Sequence, residues 1–337
     1  RKAAAEALNH FLSLAYIDYV MKQLPTIDWL LKVERVNLEN IHGRIIQFIV
    51  SQDFSDEFYG KIKRLNGKTR FLLFKSYLDY KSPNREQVNK IISDRYFLVR
   101  LELLNHLGKF PPGIQKEIIT KCLHDKSAAV RHKALHASKS FGHAFDDRVN
   151  DLLSDENVLI RGLSRKLLKD KGLDFAQLYR KRIHEKYLLS GSIFGLSEIG
   201  NLNDLALFEQ NIISGNKQVV IASLVSISKF DIDVAKKFAL DLLTHKNSRV
   251  GNKAVEILSK NCTKEILEKA RDIYTNGNFQ TKLAILRIYR KMGGWNILAD
   301  LLLALNDENE HIREQAWRHL ERWRLKATRL FTIPGKT

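Results

Sequence analysis

Two histidines four residues apart, His132 and His136, follow an acid and an arginine in the stretch DKSAAVRHKALHASK, residues 125–139. On a helix that spacing puts both imidazoles on one face, where they could share a metal ion. His124 and His143 are the nearest further ligands in sequence. The zinc-hydrolase pattern needs Glu directly after the first His, and Lys133 stands there instead. A bare pair of this kind reads as a solvated helix face, so neither metal nor cofactor is expected.

Other chemistry-bearing motifs fail in the same way. Gly-Lys-Thr occurs at 67–69 and again at 335–337, but a phosphate loop needs a further Gly five residues earlier, where Ile62 and Leu330 stand. Trp295, Trp317 and Trp323 could stack a ligand. Trp317, however, falls in a column otherwise filled by Leu135, Val225, Val255 and Ile285, which predicts core packing. Arg165 is the odd residue of that column. Cys122 and Cys262 match no metal or redox spacing and read as reduced thiols. No nucleophile–base pair or paired-carboxylate motif is present, so the expectation leans away from an enzyme.

The elements that carry these residues repeat. DKSAAVRHKALHASKSFG (125–142) aligns with DENVLIRGLSRKLLKDKG (155–172) and with DENEHIREQAWRHLERWR (307–324). Numbered by the arginine slot, the units fall at Arg70, Arg100, Arg131, Arg161, Gly191, Ile221, Gly251, Thr281 and Arg313. Val or Ile precedes the slot in most units, and Ala or Ser follows it by three in Ala134, Ser164, Ala254, Ala284 and Ala316. Each unit reads as two helices, for example 144–153 then 157–171, or 295–305 then 309–324, because apolar residues recur at three- and four-residue steps. A helix pair of thirty residues cannot bury its own face, so such units must stack.

The pattern Asp-x-x-x-x-Val/Ile-Arg-x-x-Ala/Ser resembles the HEAT-repeat family, in its short form of about thirty residues per unit. It is carried by Asp125/Val130/Arg131/Ala134, Asp155/Ile160/Arg161/Ser164 and Asp307/Ile312/Arg313/Ala316. The resemblance implies an all-α fold, a right-handed α-solenoid of about nine stacked helix pairs over residues 61–324. It also implies that Asp125, Arg131, Asp155, Arg161, Asp307 and Arg313 form a structural ladder at the inter-helix turns. Where the slot holds Gly191, Ile221, Gly251 or Thr281, that ladder is expected to be interrupted. Residues 1–60 read as an irregular helical cap, with one long helix ending near Pro25 and Arg44 as a further slot, and 325–337 as a tail. Pro111-Pro112-Gly113 reads as a break before the most regular part.

The chain of 337 residues carries a formal net charge of +18. That excess points to an anionic partner. The residues the repeat does not dictate, His132, His136, Lys139, Arg165, Lys166 and Lys169, are the candidate contact surface for it. The expected function is a non-catalytic binding scaffold for another protein, an acidic one; nucleic-acid binding through a basic groove is the second reading. No apolar run is long enough to cross a bilayer, so a membrane link is expected only through an upstream anchor. Arg1 and Lys2 are of the kind that follows a span on its cytoplasmic side. The cysteine usage suits a cytoplasmic location.

Overall fold

A computed structural model describes residues 56–185, 189–292 and 297–330. The expected cap helix, Arg44, Trp295 and the second Gly-Lys-Thr all lie outside these residues. Two compact units are present: the residues up to Leu152 together with Leu159–Lys171, and Leu153–Val158 together with the residues from Gly172 onward. Among the described residues the fold is all-helical, without a strand.

The first unit holds α1 (Asp56–Lys63), α2 (Gly67–Tyr80), α3 (Arg85–Ile92), α4 (Phe97–Asn105), α5 (Pro112–Leu123), α6 (Ala128–Ser138), α7 (Asp146–Asp151) and all but the first residue of α8 (Val158–Leu167). The second holds α9 (Phe175–Arg182), α10 (Leu189–Ile199), α11 (Leu205–Ile212), α12 (Lys217–Phe230), α13 (Ile232–Asp241), α14 (Ser248–Lys260), α15 (Lys264–Asn276), α16 (Phe279–Met292), α17 (Leu298–Ala304) and α18 (Glu310–Leu330). Within the first unit α2 packs on α4 and α4 on α6, while α3 packs on α5. Within the second, α10, α12, α14, α16 and α18 pack one on the next, and α11, α13, α15 and α17 each pack on the helix that follows.

Two columns of the repeat account for this packing. The apolar residue before the slot, Val99, Val130, Ile160, Val220, Val250 or Ile312, is at most 1% exposed in each case. The small residue three after it is buried too, in Ala134, Ser164, Ala254, Ala284 and Ala316. Short side chains there let one helix axis approach the next, and the apolar knob fills the gap.

Three expectations change. Pro112 does not break the array; it opens α5, where its missing N–H is one that no helix could satisfy. Helix α18 runs on to Leu330, past Trp323, where the apolar pattern stops. Leu325, Lys326 and Ala327 are strong helix formers and carry it. Trp317 is not core: it is 60% exposed, whereas Leu135, Val255 and Ile285 are buried. Helices α14 and α16 have packed neighbours before and after them, whereas among the described residues the main packing of α18 is on α16 and α17. The column therefore marks a face that in α18 nothing described covers.

Candidate functional site

At the turn between the two helices of a unit, one carboxylate and one guanidinium do several jobs. The Asp caps its own turn: Asp94, Asp125, Asp155 and Asp307 each accept from the backbone N–H two residues on, at 2.7 to 2.9 Å. The Arg six residues later donates back to that Asp's carbonyl, Arg100 to Asp94 at 2.6 Å, Arg131 to Asp125 and Arg313 to Asp307 both at 2.8 Å. It also reaches forward to the next carboxylate. Arg70 forks onto Asp94 with both bonds at 2.8 Å, and Arg100 onto Asp125 at 2.5 and 2.7 Å. A planar fork matches two carboxylate oxygens in a way lysine cannot. Arg70, Arg100 and Arg161 are buried. The hydrogen bond from Arg100 to Asp125 holds its guanidinium above the usual pKa against the opposing cost of burial.

Where the slot arginine is missing, substitutes appear. Lys282, one residue beyond Thr281, donates to Asp307 at 2.7 Å, and the Tyr274 hydroxyl joins at 2.9 Å. His245 Nδ1 accepts from the Asn247 N–H at 3.0 Å, as the turn aspartates do elsewhere. Gly191 and Gly251 serve a different need: a Cβ on Gly191 would sit inside the Ser154 carbonyl, and one on Gly251 would lie 2.9 Å from the Leu243 carbonyl oxygen. Those slots hold glycine because a backbone passes where the side chain would be.

A second set of pairs joins the first helices and escaped the sequence reading. Arg180 forks onto Asp204 at 2.7 and 3.1 Å, and Arg271 onto Asp300 at 2.7 and 2.9 Å. Burial works against ionisation of Asp204, but the bonds from Arg180 overcome it and hold the carboxyl below its ordinary range. The available signal was a lone Asp inside an apolar run, as in LADLLLA.

The candidate surface residues divide between two helices of the first unit and the turns that follow them. On α6 the rings of His132 and His136 meet edge to face at 4.7 Å. Burial first, then the neighbouring His132, Lys139 and Lys133, pushes the His136 pKa down. His136 is exposed, as is Lys139 in the turn after α6, and His132 is half-buried; on α8 Lys166 is exposed and Arg165 half-buried, and Lys169, in the turn after α8, is exposed. His124 and His143 do not complete a metal site. His124 Nδ1 lies 3.0 Å from the Thr120 carbonyl and its Nε2 3.4 Å from Arg148, while His143 pairs with Asp146 at 2.9 Å. Among the described residues no three potential ligands gather. Gly67–Lys68–Thr69 starts α2, and a Cβ at Gly67 would lie 2.7 Å from the Tyr96 ring, so that backbone packs on a side chain.

No protein-family model matches this sequence, and comparison with curated proteins finds no relative.

Proposed function

We propose that the chain is a HEAT-like α-solenoid that works as a non-catalytic scaffold for an acidic protein. The observation that carries the reading is charge left over after the architecture is satisfied. The described residues of the first unit, 56–152 and 159–171, hold 24 Lys and Arg against 12 Asp and Glu. Several of those acids are already taken, Asp94 by Arg70, Asp125 by Arg100, Glu117 by Arg85 and Lys121, and Asp146 by Lys171. Many of the cations that remain, Arg95, Lys126, Lys133, Lys139, Lys166 and Lys169 among them, face solvent. Stacked thirty-residue helix pairs supply a long, rigid surface on which such charge can be read by a partner. The arrangement of α6, where Lys133, His136 and Lys139 lie close together, supports a contact face rather than a catalytic one.

Affinity capture from an extract at low and at high salt tests the proposal. Acidic proteins should be retained at low salt and released as salt rises. Recovery of nucleic acid alone, with nuclease treatment abolishing all retention, would sink it in favour of a phosphate-backbone partner.

A further inference from the structure

A groove of about 630 Å³ opens in the first unit between the turn that precedes α4 and the turn that precedes α6. Its lining includes Asp94, Arg95, Lys121, His124, Asp125 and Lys126. The two acids are spent, since Arg70 and Arg100 neutralise them with paired hydrogen bonds. Two of the cations are not. Arg95 and Lys126 are exposed and have no acidic partner among the described residues. Lys121 shares its charge between the Glu117 carboxylate at 3.0 Å and the Asn89 side-chain oxygen at 2.6 Å. His124, placed against the Arg148 guanidinium, must offer Nε2 as an acceptor and so donates from Nδ1 to Thr120. The groove is thus a wet, cationic trough whose own carboxylates are switched off.

We propose that this groove binds an extended acidic peptide segment through Arg95, Lys121 and Lys126. The inference rests on the acidic-scaffold reading and gives its partner a place to dock. The lining chooses between anions. Single-stranded nucleic acid is held by bases stacked on aromatic rings as well as by backbone charge; no Phe, Tyr or Trp lines this groove, and its one imidazole, His124, is held between Thr120 and Arg148. Carboxylates on an extended chain ask only for cations at intervals along a trough, which is what the two successive turns supply. The ladder fixes the spacing of those turns, so the cations are pre-positioned rather than recruited.

The test is fluorescence anisotropy on the full chain with a labelled oligoglutamate of about ten residues, and with an oligothymidylate of similar length. The unaltered chain should bind the peptide. Arg95→Ser with Lys126→Ser should weaken it about tenfold, whereas Lys63→Ser with Arg64→Ser, which removes the same charge from exposed positions of α1 and its following turn, should cost less than about threefold. The swap Arg95→Lys with Lys126→Arg should keep binding, and an unchanged far-ultraviolet circular dichroism spectrum, with no loss of melting temperature, certifies the fold of each variant. Equal losses from both serine pairs would overturn the groove and leave the acidic-scaffold reading standing. No binding of the peptide by the unaltered chain would overturn both. Tighter binding of the oligothymidylate, lost with the groove pair, would overturn the peptide class.

Discussion

Arg100 shows how much one side chain can be asked to do. It donates to the Asp94 carbonyl behind it and to both Asp125 oxygens ahead, from a largely buried position. Truncation would strand a buried carboxylate, a loss on the order of 3–5 kcal/mol. Arg100→Ala should therefore lower the urea midpoint strongly, while Lys139→Ala, at an exposed site, should stay within about 0.5 kcal/mol; equal effects would remove the ladder's structural role. Ser164 makes the opposite case. It occupies the small-residue column with its hydroxyl buried and unbonded, where other units place Ala134, Ala254 and Ala316. Ser164→Ala should stabilise by about 1 kcal/mol, since an unsatisfied buried hydroxyl costs about 1–3 kcal/mol; a loss of stability in urea melts would contradict that. His319 carries a pH signature. Burial first, then Arg290 and Arg322, pushes its pKa from 6.5 down to about 4. Between those values the unfolded chain binds a proton that the folded chain refuses, so stability must fall as pH drops from about 6.5 to 4. Glu256, held at about 2 against 4.5, loses its contribution mainly below that range. His319→Leu should flatten the slope between pH 7 and 4.5 in denaturant melts, and an unchanged slope would place the titrating group elsewhere.

At the scale of the helix, the glycine slots are the sharper test of the packing. Gly191→Ala would drive a methyl into the Ser154 carbonyl, with backbone on both sides and no flexible side chain to yield. Gly60, inside α1, has nothing within 4 Å of the same position. Gly191→Ala should cost several kcal/mol, about 1–3 or more as overpacking does. Gly60→Ala should instead gain up to about 1 kcal/mol from helix propensity. If thermal melts rank the two alike, the close approach of α10 to that turn is wrong. The helix pairs and their turn residues were legible in the sequence because their causes are local and periodic: an acid that caps its own turn, an Arg six residues on, a small residue where helices cross. Lys282 and the Arg180–Asp204 and Arg271–Asp300 pairs were not legible, because a long side chain one residue or one helix out of register can deliver the same cation. Trp317 misled for a related reason. Periodicity says which face a residue shares with its column, but only packing says whether a neighbour covers that face. The groove lining was equally hidden, since Arg95 comes from one helix pair and Lys121 and Lys126 from the next, and their meeting depends on how the turns stack.

Across the whole molecule the dominant electrostatic fact is the uncompensated charge of +18. Two salt effects compete. Exposed pairs such as Lys90–Glu86 and Lys260–Glu256 weaken when screened, but each is worth only about 0.3–0.5 kcal/mol. The buried pair Arg70–Asp94, with side chains 4% and 3% exposed, is screened far less. Mutual repulsion among the excess cations destabilises the compact state, and salt relieves it over distances beyond about 10 Å at 0.1 M. The second effect acts on many more charges than the first. The melting temperature should thus rise by a few degrees between about 20 and 200 mM sodium chloride. Sulfate at equal ionic strength should raise it further if the first unit's groove collects anions, because a ligand bound only by the folded state adds RT ln(1 + [L]/Kd). The groove pair Arg95→Ser with Lys126→Ser should then melt higher than the unaltered chain at low salt, having lost repulsion, yet show a smaller increment from sulfate. A melting temperature that falls as sodium chloride is added would mean that exposed ion pairs outweigh the excess charge, and the solvated cations of the first unit would no longer need a partner to explain them.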